Sequence, residues 1–288
     1  MANNRVASFY KQIENNNVQC FLCPHNCVIK PEEFGLCSAR KNIGGTLYSM
    51  NYGKVTSLGL DPIEKKPINM FKQGSYILSA GTFGCNFKCS FCQNWGIAHG
   101  DPPVIDISPD ELVGKALETI PDGNIGIAYT YNEPTIWYEY ILDTARIARD
   151  NNLVNVFVTN GYISEEPLNN LLEYIDAMNI DVKAFNEDFY SNYCNGKLDY
   201  VKNTVNLAAK KCHIEITTLI IPGLNDEEDE IRRLSEWIHS ISEDIPLHLS
   251  RFFPNYKMRD RQVPSPQIMY KLKNIASEYL KHVFVGNI

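Results

Sequence analysis

No basic tract runs through this 288-residue sequence, and no apolar stretch in it approaches the length of a membrane span. Asp and Glu (34) outnumber Lys and Arg (27), for a formal net charge of −7. The electrostatic footprint that follows a phosphate backbone is therefore missing, which argues against nucleic acid as a partner. The opening, MANNRVASFYKQIENNN, lacks the apolar segment of an export signal. The expected compartment is the cytoplasm, away from the membrane, where thiols stay reduced. Internal repeats and low-complexity tracts are lacking too, which excludes a repeat array.

Cysteine, by contrast, is plentiful, with nine in the chain. Cys20, Cys23, Cys27 and Cys37 form one group and Cys85, Cys89 and Cys92 another, with Cys194 and Cys212 left over. An odd total with tight local spacings in a reducing compartment argues for metal ligation over disulfides. At 44% hydrophobic and 21% charged, the chain can bury one sizeable core. A metalloprotein is expected, as one large domain or as a domain with an appendage.

Short runs rich in Ile, Val, Leu and aromatics predict strands at 75–80, 125–129, 154–159, 177–182, 214–221 and 246–250. Helical patterns lie between them. Ser108-Pro109-Asp110-Glu111 reads as a capping box with Pro at the first helical position, and Ser265-Pro266 opens the last long helix similarly. Ser164 is expected to cap the helix through Leu171 and Leu172, and Asn225 or Asp226 the one through Trp237. Ile231, Leu234, Ile238 and Ile241 mark its buried stripe. Helices over 134–149 and 200–211 complete a set of six. Six β-then-α units imply parallel strands with right-handed crossovers, as an open doubly wound sheet or as a complete or partial barrel. In either, chemistry collects at the carboxyl ends of the strands. Three regions are expected: a cysteine-rich, metal-binding 1–60, a linker 61–74 (DPIEKKPINMFKQG), and the β/α part 75–288.

Residues 84–95 read GCNFKCSFCQNW. A structural zinc site takes four ligands, and after the third cysteine nothing suitable follows until His99. A cubane iron–sulfur cluster held by three thiolates keeps one iron open for chemistry; a three-cysteine zinc site is the alternative. C-x3-C-x2-C after the first strand, with Phe91 before the third cysteine, resembles the radical S-adenosylmethionine superfamily. The resemblance implies a partial (β/α)6 TIM-type barrel and a 4Fe–4S cluster on Cys85, Cys89 and Cys92. S-adenosylmethionine would chelate the unique iron and be cleaved reductively to a 5′-deoxyadenosyl radical, which takes a hydrogen atom from the substrate. A low-potential donor, ferredoxin or flavodoxin, would supply the electron.

The same resemblance nominates the residues that would hold S-adenosylmethionine. Tyr131-Asn132-Glu133-Pro134 stands where the superfamily often has Gly-Gly-Glu-Pro, so Glu133 would accept from the methionyl ammonium. The alternative is a helix-terminal Glu stabilised by the macrodipole. Val158-Thr159-Asn160-Gly161 resembles the D-T-N-G loop of glycyl-radical-enzyme activases, with Val158 in place of the Asp. Thr159 and Asn160 are thus cofactor-binding candidates, against a plain Asn-Gly turn. Alternation puts Asp181 and Lys183 on one face at the end of the fourth strand. In the activases such a pair meets the ribose and the carboxylate; a rim ion pair is the alternative. Arg251, near His248 at the sixth strand, is a candidate for the carboxylate or the substrate, against a surface Arg and a core His.

Cys20, Cys23, Cys27 and Cys37 supply four thiolates for a second metal, which spacing leaves as zinc, iron or an iron–sulfur cluster. The CxxCPHxC motif, DPIEKKP and GTFGCNFKCSFCQNW together resemble the AmmeMemoRadiSam-system radical enzymes, which are similar to pyruvate formate-lyase activating enzymes. Many such relatives are expected to continue past Gly286-Asn287-Ile288 into a further cysteine pair. Within this class the other reading is an activase that installs a glycyl radical on a protein or peptide partner. From another class, the chain could be a non-catalytic iron–sulfur electron-transfer module.

Overall fold

The computed structural model describes residues 5–288. At its centre is a mixed eight-stranded sheet. Its strands, in chain order, are β1 (Ser57–Pro62), β2 (Tyr76–Gly81), β3 (Asn124–Tyr129), β4 (Val154–Thr159), β5 (Ala177–Asp181), β6 (His213–Ile220), β7 (Leu247–Arg251) and β8 (Val283–Gly286). Their spatial order follows the chain from one edge to the other, with β2 to β8 parallel and β1 antiparallel to β2. The long helices are α1 (Pro109–Glu118), α2 (Tyr138–Asp150), α3 (Glu165–Leu172), α4 (Leu198–Ala208), α5 (Glu228–Ile241) and α6 (Pro266–Ala276). Right-handed crossovers in an unbroken strand order leave such helices on one face of a sheet.

The central sheet has two strands more than the sequence predicts. In β1, SLGLDP is half-buried and mixes Gly and Pro with apolar residues, so it gives no clean period. β8 is only four residues long, too short to give a clear period. The boundary expected at residue 60 falls inside β1.

The capping box at Ser108 and Glu111 is present, and the Ser265 hydroxyl accepts from the Ile268 N–H. Ser164 makes no side-chain cap bond, and α5 begins at Glu228. Asn225 is engaged elsewhere: its Oδ1 accepts from the Ile221 N–H while its Nδ2 donates to the Lys183 and Leu219 carbonyls.

Two buried polar clasps join the parts. On β6, Glu215 accepts from the Asn69 and Met70 N–H groups at 3.0 and 2.7 Å and from His213 and His248 at 2.9 and 2.6 Å. Burial opposes its ionisation, but these four bonds outweigh it and hold the carboxyl down at about 2. The segment after β1 is thereby fastened to the sheet. The second clasp holds the N-terminal region, which is built of short antiparallel strands. There Arg40 and Glu139, both buried, form an ion pair in which one guanidinium nitrogen, Nη2, donates to both carboxylate oxygens at 2.6 and 2.8 Å. Glu139 also accepts from the Ser8 N–H, and the Trp137 indole donates to the Asn51 carbonyl at 2.7 Å.

Candidate active site

The loop after β2 carries Cys85, Cys89 and Cys92, and the carboxyl ends of β3, β4 and β5 carry Glu133, Thr159, Asn160, Asp181 and Lys183. All of these, with Phe91, line one cavity of about 350 Å³, a size that suits a small ligand. Of the residues the sequence nominates for the β/α part, Arg251 alone stays out. Its Nε donates to the Pro264 carbonyl at 2.7 Å and its guanidinium lies 5.5 Å from the Phe253 ring centre.

Glu133 is buried, and its carboxylate accepts from the Thr135 N–H, the Thr159 hydroxyl and the Asn160 N–H at 2.7–2.9 Å. Burial nevertheless pushes its carboxyl above the ordinary range, because all three donors are neutral. A cation arriving in the cavity would relieve that cost. The next strand end is organised around it: Gly161 takes a positive φ of 71°, and the Asn160 side chain donates to Asn86 Oδ1 at 2.9 Å and reaches Cys85 Sγ at 3.9 Å. The Lys183 ammonium and Asp181 carboxylate are 2.9 Å apart. Burial works against the Lys183 charge, but Asp181 beside it outweighs this and holds the amine well above its usual range.

Burial, then the Glu133 charge, pushes the Cys85 thiol well up; burial pushes Cys92 up to about 11. Contact with the Cys194 thiol, then burial, does the same at Cys89. Thiols so placed are poor nucleophiles by themselves and ionise when a metal takes the proton's place. Among the described residues, no three Cys, His, Asp or Glu side chains are set to hold a single metal ion. A cubane takes each thiolate on a separate iron, and three cysteines lining one cavity would serve three of its four irons. The buried Thr217 hydroxyl also lines the cavity and has no hydrogen-bond partner among the described residues, leaving a polar group for a ligand.

Lys66, Tyr131 and Thr217 join this cavity unannounced by the sequence reading. Lys66 is 4% exposed, donates to Asp61 at 2.7 Å and lies 5.0 Å from the Tyr131 ring centre. Nothing local in DPIEKKP singles it out from Lys65. Tyr131 has φ of 72°, a conformation that costs an aromatic residue and suits glycine, which explains the glycine common at this place in the superfamily. Its hydroxyl donates to Asp61 at 3.1 Å.

The family profile described as Radical SAM superfamily matches residues 80–235. The chain belongs to the Radical SAM superfamily. Over 291 residues it is 43% identical to the uncharacterized protein MJ0808 of Methanocaldococcus jannaschii, covering 99% of this chain and 85% of that one. It is also similar to the pyruvate formate-lyase 1-activating enzyme of Escherichia coli strain K12, at 23% identity over 68% of this chain and 86% of that one. Among solved structures, a radical SAM methyltransferase from Sphaerobacter thermophilus shares the fold, with a TM-score of 0.59 at 16% identity over 75% of this chain and 67% of that one. Membership of the Radical SAM superfamily implies a 4Fe–4S cluster and S-adenosylmethionine. No helix among the described residues is long and apolar enough to cross a membrane.

Proposed function

We propose that this Radical SAM chain holds its 4Fe–4S cluster on Cys85, Cys89 and Cys92 and orients S-adenosylmethionine with Glu133, Asp181 and Lys183. The unbroken strand order, with helices on one face, supports a partial (β/α)6-type barrel closed by curvature around the cavity. The cluster, when bound, supplies the one electron that cleaves S-adenosylmethionine so that a hydrogen atom can be taken from substrate. Every other task falls to the chain. Glu133 presents a carboxylate whose burial favours a cationic partner, which suits the methionyl ammonium. Asp181 offers an acceptor suited to a ribose hydroxyl, and Lys183 a donor suited to a carboxylate. Thr159 and Asn160 hold Glu133 in place, and Phe91 closes the cavity wall beneath Lys183.

The observation that carries this reading is the single cavity shared by three cysteines and a buried carboxylate from another strand. An electron-transfer module has no use for that carboxylate. The test is anaerobic reconstitution with S-adenosylmethionine and dithionite. Release of 5′-deoxyadenosine is expected, and its absence from a fully loaded cluster would overturn the reading.

Activation of a protein partner is a second reading within the class, favoured by an aromatic rim. Trp95, 39% exposed and next to the cavity-lining Gln93 and Asn94, stacks on Tyr256 at 5.4 Å. An extended backbone could lie across such a rim. The finer resemblance, to the AmmeMemoRadiSam-system enzymes, rests on the N-terminal cysteines and DPIEKKP together with the three-cysteine loop.

A further inference from the structure

Cys20, Cys23, Cys27 and Cys37 stand around one cavity whose walls include Leu22, Ile29 and Ile136. Two observations beyond the thiols point to a ligand there. Arg40, 1% exposed, also lines this cavity; its Nη atoms donate to Glu139 and the Ser8 carbonyl, but its buried Nε has no partner among the described residues. A buried N–H without an acceptor is costly, and the sulfurs of an iron–sulfur cluster are acceptors of the kind it needs. Second, no three of these side chains are set to hold a single ion, as at the three-cysteine site. A tetrahedral zinc, about 2.3 Å from each sulfur, would draw the four together. Four thiolates around one cavity supply one ligand to each iron of a cubane.

We propose that Cys20, Cys23, Cys27 and Cys37 hold a second iron–sulfur cluster that passes electrons to the cluster at Cys85, Cys89 and Cys92, a role resting on the radical-enzyme reading above. The Cys85 N–H donates to the Cys37 carbonyl at 3.2 Å, so a ligand of one site is hydrogen-bonded to a ligand of the other. Gly84 makes this approach feasible: it has φ of 88°, and a Cβ there would stand 2.5 Å from the same carbonyl. A second connection runs from His25, whose Nε2 donates to the Asn86 carbonyl at 2.8 Å. Asn86 in turn accepts from Asn160, which reaches the Cys85 sulfur. A donor of the ferredoxin or flavodoxin class loses one electron to the second cluster. The same electron then moves on to the three-cysteine cluster and restores the second, with no bond made and no proton moved.

The test starts with the wild-type chain reconstituted anaerobically. About eight irons and eight sulfides per chain are expected, four for each cubane, with two paramagnetic signals of which S-adenosylmethionine shifts one. About four irons, or zinc in the N-terminal cysteines, overturns the proposal. Cys20→Ala/Cys23→Ala should lose about half the iron and keep the signal that S-adenosylmethionine shifts when dithionite is the reductant. With reduced flavodoxin as donor, that signal should form at least tenfold more slowly than in the wild type. Equal rates overturn the relay. Loss of the S-adenosylmethionine-sensitive signal in the wild type itself would instead overturn the radical-enzyme reading, so the two failures are distinct.

Discussion

Glu215 makes four bonds that no other residue can make, so its replacement by Gln has a cost that can be worked through. One carboxylate oxygen accepts from the Met70 N–H and His213, the other from the Asn69 N–H and His248. Whichever way a Gln amide is turned, its NH2 faces one backbone N–H. An imidazole can change tautomer to meet that NH2, but the backbone N–H cannot. One unmet donor costs about 1–3 kcal/mol, and the lost charge on the remaining bonds brings the total to roughly 3–5 kcal/mol. For a chain of this size that is roughly 5–8 °C in Tm, readable by calorimetry on the loaded protein at neutral pH. The pH dependence follows from the carboxyl held at about 2. Between there and the ordinary value of 4.5 the unfolded chain binds the extra proton, so stability rises with pH across that window. The contribution, about 3 kcal/mol, is complete above roughly pH 5 and is lost as pH falls through 4.5 towards 2. Glu215→Gln should lack this acid limb. A variant that melts within a degree of the wild type and shows the same acid transition would refute the clasp.

Replacing Cys85, Cys89 and Cys92 together by Ala should abolish S-adenosylmethionine cleavage and the signal that responds to it; cleavage surviving in the triple variant would sink the assignment. Asp181→Ala or Lys183→Ala should leave cluster iron unchanged and weaken S-adenosylmethionine binding roughly tenfold or more, as loss of a charged hydrogen bond of about 1.5–3 kcal/mol requires. Unchanged calorimetric affinity would reduce the pair to an ion pair at the rim. Glu133→Gln should weaken binding by a similar factor, and retained affinity would mean that its charge serves only the loop held by Thr159 and Asn160. Air should bleach the three-cysteine cluster and stop cleavage together, as an open iron site predicts; activity outlasting the cluster absorbance would argue otherwise.

Much of the β/α series was legible because strands covered on both faces read as unbroken apolar runs. The six predicted strands all appear, with no end shifted by more than one residue. β1 was missed because an edge strand buries only part of each side chain and tolerates the Gly and Pro of SLGLDP. Cysteine spacing announced both cysteine groups, each of which the fold gathers at one cavity. Lys66 and Thr217 could not be found that way: each reaches the cavity through the course of the backbone, not through a local pattern. Arg251 shows the converse. Its place at a strand end suggested the cavity, but the backbone carbonyl of Pro264 holds the side chain elsewhere.

The Arg40–Glu139 clasp also sets a clock on synthesis. The two residues are 99 positions apart, and a ribosome adding about 5–20 residues per second needs roughly 5–20 s to travel from one to the other. For that interval Cys20, Cys23, Cys27 and Cys37 have emerged while the helix that anchors their neighbour has not been made. A nascent segment in that condition offers four unguarded thiols to any free zinc or oxidant. Slowing translation between codons 40 and 139 would lengthen that exposure and should raise the share of molecules in which these thiols are oxidised or hold zinc.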